Sequence, residues 1–177
     1  MNIQFRCLEK SDLSQMYLWL NTDFVKQFWK DPATIEDVKN DYEPYITGEK
    51  PTKAYIMMVD GVDIGYIQTY YYSDHADDMG YYDELDADKY SAGVDLFIGH
   101  KNYIHKGYGA HVIREFIKNH VFANSQTVNA IITPEPDNAA AIKVYEKVGF
   151  KWYKTIITPS GEYEYLMSLS KEDFLQL

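Results

Sequence analysis

The chain has 177 residues, of which 46% are hydrophobic and 25% are charged, and its 17 basic and 27 acidic residues give a formal net charge of −10. This length suffices for one domain with a hydrophobic core, so we expect a single domain over residues 1–177. The charge argues against a nucleic-acid partner, because phosphate binding needs a basic surface. It favours a cationic small molecule instead, although an acidic composition also serves solubility alone.

The sequence carries no sign of export, membrane insertion or metal binding. Its first residues lack the basic and then apolar pattern of a signal peptide, and no apolar run has the length of a membrane span. Cys7 is the single cysteine, so no internal disulfide can form, and no Cys/His cluster has the spacing of a zinc site. We therefore expect a cytoplasmic protein without a membrane segment or a bound metal.

The first part of the chain predicts one strand, at residues 3–8, and two helices. Ser11 is expected to cap the first helix, whose apolar side is formed by Leu13, Met16, Tyr17, Leu18 and Leu20. Thr34 is expected to cap the second helix, which carries Tyr42 and ends near Gly48.

A hairpin and an acidic stretch follow. Residues 54–59 and 63–72 are predicted as two strands, because Asp60-Gly61 is a strong turn signal between them. Residues 73–90 have neither helical nor strand periodicity and are rich in Asp and Glu. Such a charge run is typical of a solvated loop, whereas the interleaved Tyr81 and Tyr82 indicate a loop that binds a cationic substrate.

The most informative stretch runs from a strand into a helix. Residues 94–98 alternate as a strand does, and Gly107 and Gly109 then open a helix whose apolar face is Val112, Ile113, Phe116 and Ile117. Glycines at a helix start let backbone N–H groups approach a phosphate, which the helix dipole also favours. The alternative is an ordinary glycine-containing loop. A dinucleotide fingerprint fits poorly, because Val112 stands at the third glycine position.

Another helix is predicted to begin at Asn138 and to end at Gly149. Five of its residues share one face: Asn138, Ala141, Ile142, Tyr145 and Val148. Residues 128–133 read as a strand before this helix, and residues 152–158 and 163–169 read as two strands after it.

The Gly107-x-Gly109 stretch and the Asn138-x-x-Ala141-x-x-x-Tyr145-x-x-x-Gly149-Phe150 helix resemble motifs A and B of the GCN5-related N-acetyltransferase superfamily. The order of the predicted elements also agrees over nearly the whole chain. The resemblance implies an α/β fold. Its central mixed, twisted sheet would have about seven strands, flanked by helices and splayed at an acetyl-CoA site.

The resemblance also implies acetyl-CoA as co-substrate. The coenzyme would be held by Phe97, Ile98, His105, Lys106, Gly107, Gly109, Ala110 and Asn138. Backbone groups of residues 96–98 would pair with the pantetheine arm as an extra strand. His105 and Lys106 would add positive charge near the pyrophosphate, although they read equally well as a solvated pair.

Within the superfamily, the chain is most similar to aminoglycoside 6′-N-acetyltransferases, as the sequences around Asp60–Tyr70, Gly93–Gly99 and Tyr145–Phe150 indicate. This resemblance implies that Asp95 and Tyr145 belong to the active centre and that the substrate is lined by Trp29, Tyr42, Tyr70 and Asp95. The family often has an acid just before a Pro-x-Pro loop and another in the final hairpin. Thr133 and Ser160 stand at these places here, which leaves the substrate range open.

The implied mechanism is direct attack of a primary amine on acetyl-CoA, without an acyl-enzyme. Asp95 would orient the amine and take its proton, unless it is a solvent-facing or satisfied carboxylate. Tyr145 would protonate the leaving thiolate, unless it only packs its helix on the sheet. Two alternatives are acylation of a siderophore precursor or polyamine, and a non-catalytic coenzyme A sensor. We expect a monomer or a homodimer that binds neither nucleic acid nor membrane.

Overall fold

The computed structural model of the chain describes residues 1–29, 34–74, 90–158 and 160–177. Its strands are β1 (Ile3–Cys7), β2 (Lys53–Val59), β3 (Val62–Tyr71), β4 (Ser91–Ile98), β5 (Asn129–Ile132), β6 (Lys151–Ile157) and β7 (Tyr163–Ser170). Its α-helices are α1 (Leu13–Leu20), α2 (Asp23–Lys26), α3 (Ile35–Thr47), α4 (Tyr108–Phe116), α5 (Ala139–Val148) and α6 (Lys171–Leu175). The strands form one seven-stranded sheet in the order β1-β2-β3-β4-β5-β7-β6. The predicted α/β fold with a mixed sheet is therefore confirmed.

The described residues form two compact units. The first unit contains residues 1–68 and 96–108, and the second contains residues 69–95 and 109–177. Strands β3 and β4 contribute residues to both. The expectation of a single acetyltransferase domain over residues 1–177 stays a prediction.

In the first unit, a tight hairpin joins β2 to β3 as the sequence predicts. Asp60 and Gly61 both have positive φ angles, 48° and 80°, which are the angles that a two-residue turn between twisted strands requires. Strand β1 pairs antiparallel with β2, from Ile3 opposite Val59 to Cys7 opposite Tyr55. These pairings place β1 at one edge of the sheet.

Helix α3 begins and ends where the sequence predicts. The Thr34 hydroxyl accepts a hydrogen bond from the Asp37 amide at 3.2 Å, and the Asp37 carboxylate accepts one from the Thr34 amide at 2.9 Å. This reciprocal pair is a capping box. Gly48 ends the helix in the left-handed conformation.

The prediction for α1 is wrong in two details. Ser11 does not cap the helix, because it lies inside a 3-10 turn (Lys10–Asp12) that precedes Leu13. Leu18 is 60% exposed, whereas Trp19 is buried. The helical period explains the difference, because Trp19 lies three residues after the buried Met16 and Leu18 points away from that face.

In the second unit, β4 pairs parallel with β5 over a short ladder. The paired residues run from Ser91 opposite Asn129 to Gly93 opposite Ile131, whereas β4 itself continues to Ile98. Strand β7 pairs antiparallel with β5 on one side and with the edge strand β6 on the other. The parallel pairing thus ends at Gly93, one residue before β5 itself ends at Ile132, and the predicted splay at an acetyl-CoA site stays a prediction.

Helix α5 confirms the second predicted motif helix. The Asn138 side-chain oxygen accepts a hydrogen bond from the Ala141 amide at 3.1 Å, and Gly149 ends the helix with a φ angle of 114°. Tyr145 and Val148 on the predicted apolar face are buried. Two short elements were not predicted: α6, which Ser170 caps, and the π-helical turn (Ile117–Val121) that follows α4.

Close packing of β3 on β4 depends on Gly65. A Cβ atom at this position would collide with the carbonyl oxygen of Phe97 and lie 2.9 Å from Cα of Ile98. We expect Gly65→Ala to lower the free energy of unfolding by about 3 kcal/mol, because backbone atoms cannot move aside as a flexible side chain can. Urea denaturation measures this loss.

Gly61→Ala is the matched control, because an added Cβ there meets nothing within 4 Å and only the positive φ angle of 80° is strained. This variant should cost about 1 kcal/mol. Equal losses for the two variants would contradict the packing role of Gly65.

Candidate active site

Asp95 lies on β4, two residues beyond the last β4–β5 pair at Gly93. Its side chain is half-buried in a strand whose other residues are mostly apolar. The Asp95 carboxylate acts on two titratable groups of the second unit, Tyr145 and Glu164, and raises the pKa of both. Asp95 on β4 is therefore within electrostatic range of both Tyr145 on α5 and Glu164 on β7.

Tyr145 is buried on α5, and its ring meets that of Phe150 edge-on at 6.2 Å. Burial, and then the charge of Asp95, raise the pKa of Tyr145 above the ordinary tyrosine value. The side chain is consequently a neutral phenol at physiological pH. It can donate a proton, and it cannot serve as a base.

Glu164 on β7 is a site residue that sequence reasoning missed. Burial raises the pKa of Glu164 to about 7, a hydrogen bond from the Thr133 side chain opposes the shift, and the charges of Asp95, Glu135 and Glu162 add to it. The Tyr165 amide donates a hydrogen bond to the Pro134 carbonyl at 2.9 Å, which holds β7 alongside the Thr133–Pro134 segment. The Glu164 carboxyl group therefore lies beside Thr133, the residue that stands where the family often has an acid.

One signal in the sequence could have revealed Glu164. Side chains two apart in a strand share a face, so Glu164 lies on the same face as the buried Leu166. Ser160, the residue expected at the place of the hairpin acid, lies in the turn, with its hydroxyl oxygen 2.8 Å from that of Thr158. The hairpin thus does carry an inward acid, four residues beyond the expected position.

Two of the predicted substrate residues, Trp29 and Tyr42, belong to an aromatic cluster in the first unit, completed by Tyr66 and Phe97. The Trp29 indole donates a hydrogen bond to the Tyr42 hydroxyl at 3.2 Å, and its ring lies 5.1 Å from that of Phe97. Tyr42 is only 2% exposed, whereas Trp29 is half-buried. Within the cluster, Trp29 is thus more accessible to a ligand than Tyr42. Tyr42 supports Trp29 by accepting the hydrogen bond from its indole.

Tyr70, the third predicted substrate aromatic residue, lies in the second unit. Its ring covers the backbone of Gly93, where an added Cβ would lie 2.5 Å from the ring and 2.9 Å from the hydroxyl oxygen. It also meets the buried Tyr72 ring edge-on at 5.5 Å. Glycine at position 93 therefore lets Tyr70 lie against β4 at the end of the β4–β5 ladder.

The two glycines of the predicted phosphate loop have different roles. Gly107 has a positive φ angle of 85°, and an added Cβ there would meet nothing within 4 Å. His105 also has a positive φ, and both His105 and Lys106 are exposed. Gly109 instead allows α4 to approach α5, because an added Cβ would lie 3.3 Å from Val144. Only Gly107 is required for the conformation of the loop.

The remaining predictions concern the coenzyme strand and the acidic stretch. Phe97 and Ile98 lie at the end of β4, Ala110 lies in the first turn of α4, and Asn138 caps α5. Most of the acidic stretch, residues 75–89, lies outside the described residues, so its role as a binding loop stays a prediction.

Two general findings apply to the part of the chain that the structure describes. None of its helices combines the length and the apolar character needed to cross a lipid bilayer. None of its groups of three or more His, Cys, Asp or Glu side chains is arranged to hold a metal ion.

Comparisons with known proteins identify the family of the chain. The family model of the acetyltransferase (GNAT) domain matches residues 9–158. The aminoglycoside N(6')-acetyltransferase type 1 of Klebsiella pneumoniae is 30% identical over 170 residues, which are 94% of this chain and 82% of that protein.

Two solved structures of aminoglycoside acetyltransferase AAC(6')-Ib are similar to this chain over nearly its whole length. The complex with coenzyme A and kanamycin has a TM-score of 0.89 at 28% identity, and the similarity covers 99% of this chain and 98% of the chain in that complex. The complex with ribostamycin and coenzyme A has a TM-score of 0.90 at 27% identity, covering 99% and 97%. By the match of the domain model, the extent of these similarities and the shared fold, the chain belongs to the GNAT acetyltransferase family.

Proposed function

We propose that this protein is an acetyl-CoA-dependent N-acetyltransferase that acetylates the 6′-amine of aminoglycosides. The observation that carries the proposal is a buried, neutral Tyr145 on α5 within electrostatic range of the Asp95 carboxylate on β4, both in the second unit. A proton donor and a carboxylate are the two groups that amine acetylation needs. The similar proteins that bind or modify aminoglycosides support the choice of substrate. We further propose that the enzyme is cytoplasmic and acts as a monomer or homodimer.

Acetyl-CoA would be held mainly by backbone groups. Gly107 has a left-handed conformation, and the space beside its Cα atom is open, which suits a loop that wraps a pyrophosphate. Helix α4 begins directly after it, and the N–H groups of a first helical turn have no intrahelical partners. His105 and Lys106 are exposed and would add positive charge. The remaining contacts would come from Phe97, Ile98, Gly109, Ala110 and Asn138.

The amine must lose its proton before it can attack. A primary alkyl amine has a pKa of about 10, so reaching the neutral form at pH 7 costs on the order of 4 kcal/mol. Asp95 favours the ammonium form and therefore contributes binding rather than deprotonation. During attack, the amine nitrogen forms a bond to the thioester carbon and becomes more acidic, and Asp95 then accepts its proton directly or through water.

Tyr145 would complete the reaction as the carbon–sulfur bond breaks. The departing thiolate takes the phenolic proton, and the acetylated amine and free coenzyme A are the products. The proton that Asp95 accepted then returns to Tyr145 through water, which restores both groups for the next turnover. Burial, and then the charge of Asp95, raise the pKa of Tyr145 in the free enzyme. The effect of the charge weakens once a positive nitrogen or a proton neutralises Asp95, so Tyr145 becomes a better acid at the step that needs one.

Asp95→Asn keeps the shape of the side chain and removes its charge. With kanamycin and acetyl-CoA, the wild type should release free thiol, and the variant should lose about 10²- to 10⁴-fold in kcat/KM for the amine. Binding of acetyl-CoA, measured by calorimetry, should be unchanged. Asp173→Asn removes an exposed charge of the same unit, paired with Lys151, and should keep full activity. Wild-type activity of Asp95→Asn would show that Asp95 is only structural.

Tyr145→Phe deletes one hydroxyl and keeps the ring packed against Phe150. General acid catalysis spans about 10² to 10⁴-fold, and we expect a loss of about tenfold in kcat, below that range, because the thiolate is a good leaving group and water can protonate it. The KM for acetyl-CoA should stay the same. Tyr163→Phe, at a 60% exposed position, is the control. An unchanged kcat, with the chemical step rate-limiting, would assign Tyr145 to packing.

A further inference from the structure

Helix α4 packs closely on α5, the helix that carries Tyr145. At the start of α4, a Cβ atom added to Gly109 would lie 3.3 Å from Cγ1 and 4.0 Å from Cγ2 of Val144, and both residues belong to the second unit. Carbon atoms in contact prefer a separation of about 3.5 to 4.0 Å, so the space between the two helices at this point holds a glycine and no larger residue. Val144 therefore sets how closely α5 approaches the start of α4.

A second contact joins the last turns of the two helices. Arg114 on α4 donates a hydrogen bond of 3.2 Å from Nη2 to the Lys147 carbonyl oxygen on α5. This carbonyl is one of the four at a helix end that have no partner within the helix, and a cation at this end also matches the helix dipole. Helix α5 is thus held against α4 at residues 144 and 147, on either side of Tyr145.

The place of the Tyr145 phenol depends on the place of α5. Val144 and Tyr145 are adjacent in the chain, so a movement of the helix at Val144 carries the Tyr145 backbone with it. The Tyr145 ring is buried and packs edge-on against Phe150, which limits its freedom to compensate. A proton donor must come within about 2.6 to 3.2 Å of the acceptor, and a misplacement of about 1 Å can cost about 10²-fold in rate.

We propose that Val144 is a positioning residue for Tyr145, because its contact with Gly109 holds α5 at the distance from α4 at which the phenol protonates the departing thiolate. The inference rests on the proposed function, in which Tyr145 is the proton donor. It also gives a reason for glycine at position 109, whose φ angle is not positive and does not itself require one. Arg114 supports the same arrangement through the Lys147 carbonyl.

The first test moves bulk from one helix to the other. Val144→Ala removes two methyl groups and leaves a gap, whereas Gly109→Ala adds one and crowds Val144. Each change should shift α5 and lower kcat with kanamycin by about threefold, less than the roughly tenfold loss expected for Tyr145→Phe. In the double variant the added methyl fills the gap, so kcat should return to within about 1.5-fold of the wild type. The KM values of Val144→Ala should stay near wild type.

A second cycle asks whether the effect passes through Tyr145. In the Tyr145→Phe background no phenolic proton is left to misplace, so Val144→Ala should lower kcat no further. Val144→Thr keeps the branched shape at Cβ, and Glu146→Ala changes an exposed residue of the same helix, so both should keep kcat near wild type. A wild-type kcat in Val144→Ala, or an equal loss with and without the Tyr145 hydroxyl, would overturn the inference.

Fluorine NMR follows the ring without any turnover. With 3-fluorotyrosine incorporated at position 145 of the full chain, the ¹⁹F resonance should move in Val144→Ala and return towards its wild-type position when Gly109→Ala is added. Arg114→Gln removes the hydrogen bond to the Lys147 carbonyl and should move the resonance as well. A resonance that stays in place in Val144→Ala would show that Val144 does not position the ring.

The two proposals fail separately. If the wild type releases no thiol from acetyl-CoA with kanamycin but the fluorine resonance moves and returns as described, the proposed function fails and Val144 still positions Tyr145. If thiol forms and Val144→Ala leaves both kcat and the resonance unchanged, Val144 only packs between the helices and the proposed function stands.

Discussion

The effect of the Asp95 charge on its neighbours in the second unit is the interaction on which the proposed chemistry depends. The same carboxylate disfavours ionisation of Tyr145 on one side and of Glu164 on the other. Burial is the larger cause of both effects, and the charge of Asp95 adds to it. In the proposed reaction, a cationic substrate would offset the charge of Asp95 and so make Tyr145 easier to ionise.

This arrangement follows from the way the sheet opens. The β4–β5 ladder ends at Gly93, so Asp95 stands on a stretch of β4 whose backbone no longer pairs with β5. Strand β7 continues beyond the end of β5 and pairs with the Thr133–Pro134 segment through the Tyr165 amide. Glu164 reaches the same region of the second unit by this route. One carboxylate thus lies just beyond the end of the β4–β5 ladder, and the continuation of β7 supplies another.

Most of the fold could be predicted because its signals are local. Thr34 with Asp37, the Asp60-Gly61 turn and Gly149 each act within a few residues, and each has the predicted conformation. The face of α1 was harder, because Leu18 and Trp19 are adjacent and both apolar, and only the exact phase of the helix decides which is buried.

The candidate site was predictable only where it coincides with a motif. Tyr145 and Asp95 stand in recognisable patterns, and the structure places Tyr145 within reach of the charge of Asp95. Glu164 has no motif, and its importance arises from pairing with Thr133, a residue 31 positions earlier in the chain. Tyr42 shows the opposite case, since a predicted substrate residue has a core position and a hydrogen bond to Trp29. Pairing between distant residues decides the surroundings of Glu164, and burial decides the role of Tyr42. Neither can be seen in the spacing of residues along the sequence.

The most direct test of the account is the structure of the product. Kanamycin and acetyl-CoA would be incubated with the wild-type protein, and the product would be analysed by mass spectrometry and two-dimensional NMR. Direct transfer to the amine predicts a single acetyl group, on the 6′-nitrogen, formed in equal amount with free coenzyme A, and no acetyl group on the protein. Acetylation of a different amine, or a protein-bound acetyl group that forms before the product, would contradict it.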